Sequence, residues 1–151
     1  MNPDNARTQM ISQQLRTWKI SSNEVLETMA AIPREEFVPK AYRGCAFSDA
    51  NIPIGHGQVM LAPKLQGRLL QALDLGAGDR VLEIGTGTGF LTACLARLAE
   101  HVRSVDIEHE FVEQARNHLD DLSIGNITVE TADAMSMDLS KEYDAILVSG
   151  S

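Results

Sequence analysis

The middle of the chain has the hydrophobic pattern of a buried strand, a tight turn and a helix. Three apolar residues indicate the end of a parallel strand: Val81, Leu82 and Ile84. Three glycines follow at every second position: Gly85, Gly87 and Gly89. Apolar residues then resume at helical spacing, at Phe90, Leu91, Cys94, Leu95 and Leu98. This pattern predicts a strand, a glycine turn and a helix over residues 81–98.

Beyond residue 98, strands and helices continue to alternate. Strands are predicted over 101–106, 127–130 and 143–149, and the helix between the first two has an apolar face of Phe111, Val112, Ala115 and Leu119. Such alternation predicts an α/β fold with a doubly wound, Rossmann-like sheet. The last strand is apolar enough to lie in the middle of that sheet. We therefore expect the sequence to be a fragment or a truncated product, with the strands after the fourth missing.

The first 75 residues are predicted to be mainly helical, and residues 76–151 to form the first half of the sheet domain. One helix is expected over residues 5–18, a second opens at the capping box of residues 21–24 and stops at Pro33, and a third begins at Pro63. Their predicted inward residues include Trp18 and Leu65, and Tyr42 is predicted to pack against the core together with Phe37 and Val38. Residues 44–63 have turn chemistry and little periodicity, which predicts a loop.

Composition narrows the functional classes. The 151 residues are 44% hydrophobic and 23% charged, which is typical of a soluble globular protein. The net charge of −8, without a basic cluster, disfavours a nucleic-acid substrate. No apolar run approaches the roughly 18 residues of a membrane span, and the N-terminus lacks the blocks of a signal peptide. Cys45 and Cys94 suggest no disulfide framework, so a cytoplasmic location is expected.

The glycine spacing distinguishes between nucleotide cofactors. Dinucleotide folds use G-x-G-x-x-G to receive a pyrophosphate, whereas this turn is G-x-G-x-G and is preceded by Glu83. An acid at this position suits a cationic ligand and repels a pyrophosphate. Asp106, at the end of the next strand, can accept hydrogen bonds from a ribose. The spacing resembles motif I of S-adenosylmethionine-dependent methyltransferases; a plain glycine turn without a ligand and NAD binding are the alternatives.

Further segments make the resemblance more specific. The chain resembles the protein-L-isoaspartate O-methyltransferase family in several stretches: residues 10–15, 25–29, 32–39, 52–58, 81–89 and 143–148. The resemblance implies a methyltransferase that uses S-adenosylmethionine, releases S-adenosylhomocysteine and methylates isoaspartyl carboxylates in peptides or proteins. It implies that residues 1–75 pack on the substrate side of the sheet. It also implies cofactor contacts from Glu83, Ile84, Gly85, Thr86, Gly87 and Gly89, from Asp106 and Ile107 at the ribose, and from Asp133 and Ala134 beside the adenine. For Asp133, a helix cap is the alternative.

The resemblance fails at one loop. The family follows its glycine-glutamine segment with Thr-Ile-Ser, whereas this chain has Val59, Met60 and Leu61 after Gln58. Valine and leucine cannot donate a hydrogen bond to a carboxylate, and an unpaired buried charge is costly. Three hypotheses therefore stay open: an isoaspartyl methyltransferase, a methyltransferase with another acceptor, and a non-catalytic cofactor-binding homologue or fragment.

No catalytic residue is assigned from the sequence, and the loop offers the candidates His56, Gln58, Val59 and Leu61. A carboxylate is ionised at pH 7, so its methylation needs no general base. An amine or hydroxyl acceptor would need one, and His56 is the ionisable side chain of the loop that could serve. The alternative for His56 is a hydrogen bond to local backbone. The four histidines have no ligand spacing with one another or with the cysteines, so no metal site is predicted.

Overall fold

The computed structural model describes residues 2–140 and 142–150. The chain separates into two compact units, of which the first ends at Asp74 and the second begins at Leu75. The assignment of residues 1–75 to the substrate side of the sheet stays a prediction.

The first unit is mainly helical, as predicted. Its helices are α1 (Pro3–Gln9), which continues as a π-helical segment (Met10–Leu15), α2 (Asn23–Ala31), the single turn α3 (Arg34–Phe37) and α4 (Pro63–Leu73), with a 3-10 segment at Lys40–Cys45. Local chemistry sets the ends of these helices. The side chains of Asn2 and Ser22 accept hydrogen bonds from the first turns of α1 and α2. Asp74 ends α4 in the left-handed conformation.

Three residues that were predicted to face inward are exposed: Trp18, Tyr42 and Leu65. The wider π turn before Trp18 rotates the apolar face away from it, and the indole lies beneath the ammonium of Lys64 instead, 4.1 Å from Nζ to the ring centre. In α4 the buried row runs through Gln66, Gly67 and Leu70. A Cβ on Gly67 would come within 2.6 Å of Ile20 Cδ1, so this face packs closely, and Leu65, two positions earlier, lies about 200° around the helix from it.

The predicted loop over residues 44–63 contains a β-hairpin, so that prediction is wrong in part. Strands β1 (Ile52–Gly55) and β2 (Gln58–Met60) pair antiparallel. His56 and Gly57 both have positive φ, at 51° and 69°, as a tight hairpin turn of the primed type requires. Histidine tolerates this region better than most residues, and glycine adopts it without strain.

The second unit is a parallel sheet with strand order β5-β4-β3-β6. The strands are β3 (Arg80–Ile84), β4 (His101–Asp106), β5 (Ile127–Thr131) and β6 (Ala145–Val148). Helix α5 (Phe90–Leu98) joins β3 to β4, and α6 (His109–Asp121) joins β4 to β5. This alternation confirms the predicted α/β class. Within the described ranges β6 pairs with β3 alone, and its place in the middle of a larger sheet stays a prediction.

The core of the second unit follows the predicted apolar faces. Val81, Leu82 and Val102 are buried in the sheet, and the predicted inward residues of α6 are all buried: Phe111, Val112, Ala115 and Leu119. Cys94 is buried in α5. In β6, by contrast, only Leu147 is buried, because Ile146 and Val148 point to the opposite, exposed face. None of the described helices is long and apolar enough to cross a membrane.

Asn126 provides a stability test for this unit. Its side-chain Nδ2 lies within hydrogen-bond distance of three carbonyls at the end of α5: Ala96 at 2.8 Å, Glu100 at 3.2 Å and Ala99 at 3.3 Å. Asn126→Ala removes the donor from carbonyls that the helix cannot satisfy itself. We expect a loss of about 1–2 kcal/mol in the free energy of unfolding, measured by urea denaturation. The control Asn117→Ala, on the exposed face of α6, should stay within about 0.5 kcal/mol of wild type; equal losses for both variants would contradict the prediction.

Candidate functional site

The candidate site lies where the parallel strands of the second unit end. Because parallel strands finish at one edge of a sheet, residues that follow them come together there. This edge brings the turn after β3 close to Asp106 at the end of β4 and to Ser149 after β6. Residues 133–134 follow β5, the strand at the other side of β4. The sequence-predicted cofactor residues therefore share one edge.

The backbone of the glycine turn is bound to both neighbouring strands. The Gly85 N–H donates to the Val105 carbonyl at 2.8 Å, and the Thr86 N–H donates to the same oxygen at 3.2 Å. On the other side, the Ser149 hydroxyl donates to the Gly85 carbonyl at 3.1 Å. The turn is thus fixed by the sheet itself.

Packing explains two of the three glycines. A Cβ on Gly85 would lie 2.2 Å from the nitrogen of Gly150, and the φ of Gly85 is +103°. A Cβ on Gly89 would lie 3.0 Å from the Ala115 Cβ. In the sequence, the spacing of these glycines indicated a nucleotide cofactor. The structure gives them a second role, because neighbouring protein atoms already occupy the space beside them.

Glu83 is fully buried beneath the turn. Its Oε1 accepts hydrogen bonds from the Thr92 hydroxyl of α5 at 2.5 Å and from the Ser104 hydroxyl of β4 at 2.6 Å. The Thr86 and Ser104 hydroxyls are also hydrogen-bonded, at 2.7 Å. The second carboxylate oxygen, Oε2, is buried and has no hydrogen-bond partner among the described residues.

Burial sets the protonation of Glu83. Removal from water raises the pKa of this carboxyl to about 7, and the negative charge of Asp106 adds to the rise. The hydrogen bonds from Ser104 and Thr92 act in the opposite direction, because they favour the charged form. Since the side chain is buried, it could act on a cation at the turn only electrostatically, through a medium of low dielectric, and not by contact.

Asp106 holds the turn through its side chain. Its Oδ2 accepts from the Gly87 N–H at 2.9 Å, and Oδ1 accepts from the Glu108 N–H at 3.0 Å. Two carboxylate oxygens offer about four acceptor positions, so these bonds leave capacity for further donors such as ribose hydroxyls. Ile107, the next residue, is 67% exposed and presents an apolar side chain at the same edge.

Asp133 caps a short 3-10 turn at Ala134–Ser136. Its Oδ1 accepts from the Met135 N–H at 2.9 Å, which is the capping alternative that the sequence left open. Ala134 is half-buried, and Met135 is 93% exposed. A role for Asp133 and Ala134 beside an adenine stays a prediction.

The loop candidates belong to the hairpin of the first unit. His56 lies in its turn and is exposed, and Gln58 is half-buried at the start of β2. The side chains then alternate, as strand geometry requires: Val59 is 44% exposed, whereas Met60 is buried. Leu61 is half-buried and its carbonyl accepts a hydrogen bond from the Arg34 Nη2 at 2.9 Å.

Sequence reasoning missed four residues that contact the turn or its carboxylates: Thr92, Ser104, His118 and Ser149. His118 is half-buried, and its Nδ1 donates to the Thr88 carbonyl at 3.1 Å. Ser104 had a signal, since it is a polar residue on the buried face of β4, between Val102 and Asp106. Thr92 lies only nine residues after Glu83 but no local pattern marks it, whereas His118 and Ser149 come from elements distant in the chain.

The edge suits a cationic nucleoside ligand better than a pyrophosphate. The acidic groups assigned to this edge of the sheet are those of Glu83, Asp106 and Asp133. The Oε2 atom of Glu83 has no hydrogen-bond partner among the described residues. These features fit the S-adenosylmethionine that the motif resemblance implies. Among the described residues, no three His, Cys, Asp or Glu side chains lie close enough together to hold a metal ion.

A family model described as Protein-L-isoaspartate(D-aspartate) O-methyltransferase (PCMT) matches residues 5–151. A protein-L-isoaspartate O-methyltransferase of Aeropyrum pernix is 44% identical over 118 residues, which cover 76% of this chain and 45% of that protein. The chain spans about half the length of the curated relatives that it matches.

Solved structures agree in fold. A protein-L-isoaspartate O-methyltransferase superposes with a TM-score of 0.80 at 26% identity, over 94% of this chain and 47% of that one. A second structure, from Plasmodium falciparum and in complex with S-adenosyl-L-homocysteine, also has a TM-score of 0.80, at 20% identity, and covers 94% of this chain and 72% of that one. These superpositions confirm the Rossmann-like methyltransferase fold with a helical N-terminal part.

The contact between Gly85 and Gly150 can be tested by one methyl group. Gly85→Ala places a Cβ against backbone atoms, which cannot rotate away, and in a conformation that alanine avoids. We expect a loss of at least about 2 kcal/mol in the free energy of unfolding. Gly125→Ala is the matched control, because nothing lies within 4 Å of its added Cβ. A stability of Gly85→Ala equal to that of the control would contradict the close approach.

The pKa of Glu83 predicts a pH dependence of stability. A carboxyl whose folded pKa lies above its unfolded value stabilises the fold fully below the unfolded pKa, 4.5, and loses that contribution as pH rises to about 7. The difference in free energy of unfolding between wild type and Glu83→Gln should therefore fall by about 3 kcal/mol from pH 4 to pH 8. Denaturant titrations across this range measure it. If the free energies of unfolding of wild type and Glu83→Gln changed in parallel with pH, the raised pKa of Glu83 would be excluded. Glu113→Gln, on the surface of α6, serves as the control.

Proposed function

The chain belongs to the protein-L-isoaspartate(D-aspartate) O-methyltransferase family, and from this premise we propose that it transfers a methyl group from S-adenosylmethionine to the carboxylate of isoaspartyl residues in proteins or peptides. The observation that carries the proposal is the glycine turn after β3, which is fixed between β4 and β6 and joined to Asp106 by the 2.9 Å bond from Gly87. A nucleoside with a cationic amino-acid end suits this edge. The relative that binds S-adenosyl-L-homocysteine supports the same cofactor.

The proposed cofactor residues are those of the turn and of the two following strand ends. Glu83 stabilises the cationic end through the interior, Asp106 accepts from the ribose, and Ile107 covers the nucleoside with its exposed side chain. Asp133 and Ala134 lie beside the adenine in this proposal. The backbone from Ile84 to Gly89 supplies a rigid surface, because both neighbouring strands hold it.

The bound cofactor supplies an activated methyl group, and the protein's task is then mainly to position the acceptor. An isoaspartyl carboxylate is ionised near neutral pH, so the chain needs no general base for this acceptor. The hairpin residues His56 and Gln58 are proposed to orient it. Protein or peptide substrates and a cytoplasmic location belong to the same proposal.

One observation favours a second candidate, a methyltransferase of the same fold with a less polar acceptor. Val59 is 44% exposed on the hairpin, at a position where the family resemblance expects a hydroxyl, and Leu61 replaces the second hydroxyl. An apolar surface would desolvate a carboxylate without pairing it. This candidate keeps the cofactor site and changes only the acceptor.

The proposal predicts selective labelling of an isoaspartyl peptide. The protein is incubated with labelled S-adenosylmethionine and either that peptide or its normal aspartyl counterpart, and base-labile methyl ester is counted. A parallel titration with S-adenosylhomocysteine establishes that the sample binds the cofactor product. We expect ester on the isoaspartyl peptide alone.

Two other outcomes separate the candidates. Cofactor binding without labelled isoaspartyl peptide would contradict the proposed acceptor. If Val59→Thr combined with Leu61→Ser then produced labelling, the hairpin surface would be the cause. Failure of a folded sample to bind S-adenosylhomocysteine would refute the cofactor assignment itself.

A further inference from the structure

Arg34 is a fully buried arginine in the helical unit, and its side chain holds the segment that contains the hairpin. It follows Pro33 at the start of α3 and is 0% exposed. Its Nε donates to the Ala46 carbonyl at 2.7 Å, and its Nη2 donates to the Leu61 carbonyl at 2.9 Å. Its Nη1 donates to the side-chain oxygen of Gln66 in α4. One guanidinium therefore reaches three acceptors that are distant from it in the chain.

The three acceptors of Arg34 lie on both sides of the hairpin in the chain. Ala46 precedes β1 by six residues, Leu61 follows β2 directly, and Gln66 lies in the helix after it. The two carbonyls therefore lie on the two chain segments that enter and leave the hairpin. A planar, rigid donor group fixes the distance and direction between them.

Neighbouring contacts support the same part of the chain more weakly. The Ala62 N–H donates to the Asn51 side chain at 2.9 Å, which closes the base of the hairpin. The Gln14 amide donates to the Phe47 carbonyl at 2.7 Å. Each of these is a single hydrogen bond between neutral groups. Hydrogen bonds from a charged donor such as Arg34 are stronger.

A buried guanidinium is expensive unless its donors are satisfied, and apolar residues of similar size often stabilise a fold as well or better. In this fold the guanidinium instead selects one conformation of the chain segments that it joins. Without the arginine, the carbonyls of Ala46 and Leu61 and the amide oxygen of Gln66 would each lose a donor in a buried environment. The segment would then exchange among arrangements that reach water, and the hairpin would move with it.

We propose that Arg34 is a positioning residue for the acceptor: it sets the placement of the hairpin residues His56 to Leu61, and thereby the efficiency with which the acceptor is used. The inference rests on the proposed function, because the hairpin is assigned there to the acceptor side. Arg34 acts through the backbone at Ala46 and Leu61 and need not touch the substrate.

The test compares wild type with Arg34→Met, which keeps an unbranched stem and removes all the donors. Hydrogen exchange of the hairpin amides, followed by mass spectrometry, should rise at least about tenfold over residues 52–61, whereas exchange in β3 and α6 should not change. With an isoaspartyl peptide, kcat/KM should fall about 10- to 100-fold, mainly through KM. The Kd for S-adenosylhomocysteine should stay within twofold of wild type.

Two further variants separate positioning from loss of stability. Arg43→Met removes an exposed arginine from the adjoining 3-10 segment and should match wild type in every measurement. Arg34→Met combined with Gln66→Leu removes the orphaned amide, so part of the lost thermal stability should return. Activity and hairpin exchange should not recover, since the carbonyls of Ala46 and Leu61 still lack their donor.

Each result decides a separate question. Unchanged hairpin exchange in Arg34→Met overturns the inference, whether or not any peptide is methylated. Recovery of kcat/KM along with stability in the double variant also overturns it, because Arg34 would then be only structural. Faster hairpin exchange in a protein whose wild type labels no isoaspartyl peptide would support the inference about the hairpin and refute the proposed acceptor.

Discussion

The end of strand β3 is held from both sides, and the candidate site depends on this constraint. Val105 of β4 accepts two backbone N–H groups of the turn, and the Ile84 carbonyl accepts the N–H groups of Ser149 and Gly150. A strand with hydrogen bonds on both sides cannot slide or twist independently. This constraint therefore fixes the glycine turn relative to the buried carboxyl group of Glu83 beneath it and the carboxylate of Asp106 beside it.

The helices of the second unit could be predicted from periodicity, because each is long enough to repeat its apolar pattern, and its strands from their apolar runs. The α6 face from Phe111 to Leu119 is an example, with every predicted residue buried. The hairpin could not be predicted, since its strands have four and three residues and Pro53 interrupts the alternation. The exposure of Trp18 follows from a π-helical segment, which leaves no mark in the hydrophobic pattern.

The site was predictable in location and less so in detail. Glycine spacing and strand order identify the edge, because they depend only on neighbours in the chain. The inward direction of Glu83 depends on Thr92 and Ser104, which are contributed by other elements. The reason for Gly85 is a contact with the backbone of Gly150, which follows β6, and no local sequence pattern predicts that contact. What sequence alone misses in each case is a contact made across the fold.

The contact between Ser149 and Gly85 joins residues that are 64 positions apart, and this separation has a consequence for folding. A long-range contact forms only when the chain loses the conformational entropy of the intervening loop. During synthesis, β3, α5 and β4 leave the ribosome well before β6, so the turn first exists without one of its two supports. The turn therefore gains its full set of hydrogen bonds only when β6 docks, and not when the motif that carries the glycines forms.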